Sequence, residues 1–123
     1  AKAIKDTIAF LDARKDVYFP AEFRWTSQDD AMLSPFNDGT RVSIATHAAV
    51  DEPYHYLLDE LQPIHRANGG RPHWGKLHSL KQDELSGLYP EFETFLRIRR
   101  SVDPNGKFLN PHLASMFGEA FNA

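Results

Sequence analysis

The residues patterned for β-structure end at Ala48, and they are too few to close a sheet. Residues 17–19 and 21–25 read as strand, with Pro20 between them marking a bulge, an edge or a break. A second run covers 41–48, where Val42, Ile44 and Thr46 alternate against Arg41, Ser43 and Ala45. Two such runs leave unpaired edges, so the sheet is expected to find strands elsewhere. Between them, residues 27–40 are rich in Ser, Asp, Pro, Asn and Gly and read as a loop, with Asn37-Asp38-Gly39 as its turn.

Helical spacing accounts for much of the rest. Ile4, Ile8 and Leu11 make a short amphipathic helix that is expected to end near Asp16. Asp51-Glu52-Pro53 reads as the start of another, since acidic residues and a first-turn proline suit the positive end of the helix dipole. Tyr54, Leu57, Leu58, Leu61 and Ile64 form its apolar stripe, Pro63 should kink it or end its regular part, and Asn68-Gly69-Gly70 stops it. Ser79 with Gln82 is a candidate cap for a short helix. Pro90 opens a further one in which Phe92, Phe95, Leu96 and Val102 share a face. Asp103-Pro104-Asn105-Gly106 is a turn, and Leu113, Met116 and Phe117 imply one or two last helical turns. Helices returning after strands make the fold class α+β.

With 123 residues the chain is one domain or part of one. It starts within a helical pattern and without a cap, which suggests a fragment or a processed chain. Fourteen Lys and Arg stand against seventeen Asp and Glu, and the net charge of −3 argues against nucleic-acid binding by bulk charge. No cysteine is present, which removes disulfides, thiol catalysis and Cys-containing zinc modules. No apolar run reaches the about 18 residues that span a bilayer, so a soluble protein, cytoplasmic or membrane-peripheral, is expected. The six histidines lack paired ligand spacing, with His55 and His65 on a helix and His73 and His78 in a loop, so no metal site is expected. Nothing resembles a phosphate-cradling glycine loop or a serine nucleophile elbow. Arg97, Arg99 and Arg100, with Glu91 and Glu93 nearby, read as a solvated helix face.

Two constellations could carry chemistry. Glu22 and Arg24 lie two apart on a strand, so both leave one face while Phe23 and Trp25 take the other. An arginine beside a carboxylate offers a fork of donors next to an acceptor, which suits a polyhydroxylated ligand. Spacing alone fits a salt bridge on a solvated strand more readily. In His73-Trp74-Gly75-Lys76, the glycine permits close approach of the backbone to a ligand and the lysine could stabilise developing negative charge. A connecting loop anchored by Trp74 is the ordinary alternative.

Taken in order, three stretches resemble the C-terminal part of the sugar-1,4-lactone oxidases, FAD enzymes of the vanillyl-alcohol oxidase superfamily that include L-gulonolactone and D-arabinonolactone oxidases and galactonolactone dehydrogenase. The first runs over 22–35 with Glu22, Arg24, Asp29, Asp30, Ser34 and Pro35. The second is Gly69-Gly70-Arg71-Pro72-His73-Trp74-Gly75-Lys76-Leu77-His78. The third runs from Leu88-Tyr89-Pro90 to Asp103-Pro104-Asn105-Gly106-Lys107-Phe108-Leu109-Asn110. The resemblance covers nearly everything from about residue 17, and it reverses the weight on both constellations.

What the resemblance implies is specific. Residues 1–70 would form part of a cap domain, contributing to an antiparallel sheet flanked by helices. Residues 71–123 would form a flavin-proximal loop and a helical tail that packs on a separate FAD-binding domain, which this chain lacks. The partners implied are that domain or a second chain, and a lactone substrate. Glu22, Arg24 and Lys76 would be catalytic, with Glu22, Arg24 and His47 meeting the substrate and His73, Lys76 and Asn110 meeting the cofactor. A related alditol oxidase has Thr near the place of His47. The implied reaction oxidises a lactone C–OH with hydride passing to flavin N5, and Glu22 would either orient hydroxyls or accept a proton. An alditol oxidase of the same fold and a non-catalytic binding module are the competing readings.

Overall fold

The computed structural model describes residues 2–121. The elements run α1 (Lys2–Asp12), β1 (Glu22–Thr26), β2 (Arg41–Ala45), a π-helical turn (Leu57–Leu61) continuing into α2 (Gln62–Ala67), α3 (Gln82–Ser86), α4 (Phe92–Val102) and α5 (Pro111–Phe117). The α+β expectation holds, and β1 and β2 pair antiparallel. The chain divides into two compact units. One comprises the chain up to Gln28 together with Gly39–His78, and the other comprises Asp29–Asp38 together with the chain from Ser79 onward.

In the first unit α1 packs against α2. Leu61 and Tyr56 are buried there, and Thr7 is fully buried on α1. Burial of Leu61 contributes on the order of 2 kcal/mol. Arg14 lies over the Tyr56 ring, 4.2 Å from its centroid, and pairs with Asp16 at 2.7 Å and Glu60 at 3.0 Å. That clamp ties the segment after α1 to the π-helical turn. It also explains why α1 stops at Asp12 instead of near Asp16: the next residues turn to satisfy Arg14.

Pro63 acts upstream of where it stands. Lacking an N–H, and with its ring crowding the carbonyl four residues back, proline distorts the preceding turn. Here the turn widens, and the Gln62 N–H bonds the Leu57 carbonyl five residues back. Regular helix then continues to Ala67, with Pro63 tolerated in the first turn of α2. The helix begins near Tyr56 rather than at Asp51, because residues 49–52 close their own turn through the Glu52 N–H and Ala49 carbonyl. His55 accordingly sits in the turn before the helix. The stop is a Schellman closure: the Gly69 N–H bonds Arg66 O at 2.9 Å and the Gly70 N–H bonds His65 O at 2.8 Å. Gly69 takes the left-handed conformation this requires, with φ 72°.

In the second unit α3 packs against α4 and α5. Leu80, Leu85, Tyr89, Phe92, Leu96, Ala114, Met116 and Phe117 form its core. Phe117 meets Phe95 and Phe92 at ring-centroid distances of 5.6 Å and 6.4 Å. The turn after α4 is held by Asp103, a buried carboxylate that accepts the N–H groups of Lys107 at 2.8 Å and Phe108 at 3.1 Å.

Several expectations require correction. Residues 17–19 form no strand; Pro20 cannot donate to a ladder and Tyr18 stands in solvent. β2 ends at Ala45, so Thr46–Ala48 fall outside it. The cap of α3 is Lys81 rather than Ser79, with the Lys81 N–H reaching Glu84 Oε2 at 3.4 Å. Val102 leaves the α4 stripe and is largely exposed. Arg99 is not on a solvated face: its side chain is 13% exposed and bridges Asp103 and Glu119, while Arg100 pairs with Glu119 at 3.0 Å.

Candidate functional site

The register of the two strands decides what stands beside the polar pair. Glu22 faces Ala45, Arg24 faces Ser43 and Thr26 faces Arg41, while Phe23 faces Ile44 and Trp25 faces Val42. Directly opposed residues share a face, so the sheet has one polar and one apolar side. On the polar side Glu22 and Arg24 lie across from Ala45 and Ser43, and Arg41 stands across from Thr26. Glu22 and Arg24 thus meet no bulky side chain directly opposite them on β2.

On this face the Arg24 Nη2 donates to Glu22 Oε2. His47, just beyond the end of β2, brings its Nε2 to 4.0 Å from Glu22 Oε1. The side chains of Arg24, Glu22 and His47 are 72%, 46% and 49% exposed. A pair so exposed contributes little to stability. Its free donors and acceptors are instead available to a ligand: the rest of the guanidinium fork, the second carboxylate oxygen and an imidazole.

His73 and Lys76 share one turn. The Lys76 N–H bonds His73 O at 3.0 Å, and the Gly75 N–H bonds His73 Nδ1 at 3.0 Å. The second bond makes Nδ1 the acceptor, which leaves the proton of a neutral ring on Nε2. A Cβ on Gly75 would lie 3.5 Å from His73 Cε1, in ordinary contact, so glycine keeps this side of the ring clear. Lys76 is exposed, and its ammonium makes no ion pair among the described residues. The loop is anchored at its start, where Arg41 Nη1 donates to Gly69 O at 3.2 Å.

Asn110 lies in the other unit. It caps α5, its Oδ1 accepting the Leu113 N–H at 2.8 Å. The structure therefore brings Glu22, Arg24 and His47 together, sets His73 and Lys76 in one turn, and gives Asn110 a helix-capping bond. Sequence reasoning overlooked Phe19, whose ring meets His47 edge-on at 6.4 Å, and His65, whose Nε2 lies 3.1 Å from Thr7 Oγ1. Burial pushes His65 below the ordinary imidazole range. Neither contact leaves a local signal, because each depends on chain segments distant in sequence. No group of three or more His, Cys, Asp or Glu among the described residues could hold a metal ion. No helix among them is long and apolar enough to cross a membrane.

Residues 2–116 match the family described as D-arabinono-1,4-lactone oxidase. Among curated proteins, an L-gulonolactone oxidase from Scyliorhinus torazame is 35% identical, the match covering 95% of this chain and 30% of that protein. An L-gulonolactone oxidase from Bos taurus is 34% identical over 94% of the chain and 28% of its own length. An L-gulono-1,4-lactone dehydrogenase from Mycobacterium tuberculosis is 30% identical over 83% of the chain and 24% of its own length. The chain thus spans at most about three tenths of the length of these relatives.

Proposed function

This chain belongs to the D-arabinono-1,4-lactone oxidase family, and from that premise we propose that it forms the substrate-binding and flavin-facing portion of an FAD-dependent enzyme that oxidises a sugar-1,4-lactone. The observation that carries the reading is the exposed Glu22–Arg24 pair on the polar side of β1, with His47 at 4.0 Å from the second carboxylate oxygen. A lactone presents hydroxyl groups and a ring ester, all of them donors or acceptors. The Arg24 fork suits an ester or hydroxyl oxygen, and Glu22 suits a hydroxyl proton. Bonded to the guanidinium, Glu22 orients the hydroxyl to be oxidised or takes its proton.

The turn of His73 and Lys76 fits a flavin as one wall of its site. Its groups are donors: a free ammonium and, in the neutral ring, the Nε2–H of His73. Donors of this kind match the oxygen-rich pyrimidine edge of an isoalloxazine, and Gly75 leaves the backbone approachable. FAD, when bound, supplies the hydride acceptor. Lys76 counters the negative charge that accompanies reduction. Asn110 is assigned a further contact to the cofactor. The larger part of the FAD site is assigned to another domain or chain.

The test uses the full-length, flavin-loaded enzyme with a sugar-1,4-lactone and xylitol as competing substrates. Preferred turnover of the lactone, lost by about a hundredfold or more in Glu22→Gln and in Arg24→Ala, is the expected result. Preferred turnover of xylitol would place the chain with open-chain polyol oxidation. Unchanged lactone turnover in both variants would remove the pair from the site.

A further inference from the structure

Phe19 meets His47, the neighbour of the polar pair, without belonging to any strand or core. It is 38% exposed and lies three residues before Glu22 in the sequence. Its ring meets the His47 ring edge-on at 6.4 Å, with an interplanar angle of 69°. His47 in turn approaches Glu22, which is bonded to Arg24. Phe19, His47, Glu22 and Arg24 thus form a continuous line in which one end is apolar and aromatic and the other is charged.

Pro20 explains how the line arises. It fixes its own φ and biases the residue before it toward extended backbone, so the chain enters β1 at a set angle with Phe19 just outside the ladder. Phe19 is therefore not part of the sheet's alternation. Its position is set by packing against His47 and against Tyr18, whose ring lies edge-on at 5.5 Å.

From this we infer that Phe19 is a specificity-determining residue of the Glu22–Arg24 site, giving an apolar surface to the C–H face of a ring-closed sugar lactone while the charged groups bind its oxygens. The inference rests on the lactone reading above and deepens it. A sugar lactone has two kinds of surface: hydroxyl and ester oxygens around its edge, and C–H bonds on the faces of its ring. The charged groups supply partners only for the first. Sites that bind such molecules pair a few convergent polar groups with apolar or aromatic walls. An open-chain polyol has no persistent ring face, so an aromatic wall favours the closed ring over the open chain.

The experiment compares kcat/KM for a sugar-1,4-lactone and for xylitol in the full-length, flavin-loaded enzyme and its Phe19→Ala and Phe19→Tyr variants. Loss of an aromatic contact is expected to raise KM for the lactone about threefold to tenfold in Phe19→Ala, with kcat changed less and the xylitol parameters nearly constant. Phe19→Tyr should retain the preference. The same substitution is repeated in a His47→Ala background. A lactone effect that persists there supports direct contact, and one that vanishes overturns it, because Phe19 would then act only by positioning His47. An unchanged lactone-to-xylitol ratio in Phe19→Ala also overturns the inference. Glu22→Gln, run in parallel, separates the two levels. If it abolishes turnover while Phe19→Ala does nothing, only the role of Phe19 fails; if it leaves turnover intact, the site itself fails.

Discussion

Thr7 and His65 meet inside the first unit: the fully buried threonine hydroxyl of α1 lies 3.1 Å from the Nε2 of His65 on α2. Two short helices that contribute few buried apolar side chains are thereby joined through a polar contact whose strength depends on the protonation of the imidazole. Burial disfavours the charged ring and holds the folded-state pKa below the ordinary value.

That direction fixes the pH dependence. In the unfolded chain the imidazole titrates at about 6.5. Above that pH both states are neutral at this residue and its contribution to stability is complete. As the pH falls through the unfolded value, the unfolded state takes up a proton that the folded state resists, so stability is lost. The loss stops growing below the lowered folded-state value. Thermal unfolding of the chain between pH 7.5 and pH 5 should show a falling midpoint, and His65→Gln should flatten this part of the profile. Thr7→Val, which leaves the imidazole without its partner, should cost about 1–2 kcal/mol at neutral pH. A midpoint equally pH-dependent in His65→Gln would assign the effect to another group.

The two glycines that end α2 fail for different reasons when substituted. At Gly69 an added Cβ meets no heavy atom within 4 Å, but the backbone is left-handed with φ 72°, so Gly69→Ala should cost about 1 kcal/mol of conformational strain. At Gly70 a Cβ would come within 2.6 Å of the His65 carbonyl oxygen, which is itself the acceptor of the Schellman bond. Gly70→Ala must therefore open the closure and should be the more damaging, by about 2–3 kcal/mol. Gly69→Asn should recover part of the loss at its position, since asparagine tolerates this conformation, whereas no side chain should rescue Gly70. Chemical denaturation of the four proteins would order them, and equal costs for the two alanine variants would contradict the distinction.

These contacts show what was legible in the sequence and what was not. The two-faced strand was readable, because the period of two that sends Glu22 and Arg24 one way and Phe23 and Trp25 the other is a local property. So was the glycine stop after α2. Arg99 was misread because Glu119, which it bonds besides the local Asp103, lies 20 residues on and carries no local mark. The Thr7–His65 contact spans 58 residues and was invisible for the same reason. The end of α1 was misplaced because Arg14 is claimed by Glu60, 46 residues away, as well as by nearby Asp16. At the candidate site the pairing of Glu22 with Arg24 followed from spacing, but the approach of His47 and Phe19 depends on how the ends of the strands close.

Asn110 carries a structural task that any test of its proposed cofactor contact must respect. Its side chain caps α5, and Asn110→Ala should cost about 1 kcal/mol through the loss of that bond. Asn110→Ser and Asn110→Asp preserve a capping oxygen and should restore most of the stability. If the side chain also meets the flavin, Asn110→Ser should keep the thermal midpoint of the full-length enzyme while weakening retention of FAD, read from released flavin fluorescence on dilution. Full retention in Asn110→Ser would leave the residue as a helix cap alone.

Lys76 offers the cleanest separation of chemistry from folding. It is exposed, and among the described residues its ammonium pairs with nothing, so Lys76→Met should leave the thermal midpoint nearly unchanged. If Lys76 meets the flavin as proposed, the consequence in the flavin-loaded enzyme should be electrostatic. A cation held near the pyrimidine edge stabilises the negative charge gained on reduction, so its removal should move the flavin reduction potential to more negative values. Lys76→Arg, which keeps the charge, should retain most of the potential even where the different shape of the guanidinium slows turnover. Spectroelectrochemical titration of the three proteins checks this without relying on turnover. A potential identical in Lys76→Met, accompanied by a raised KM for the lactone, would move Lys76 from the flavin to the substrate. The His73 turn would then position a substrate donor in place of a flavin one.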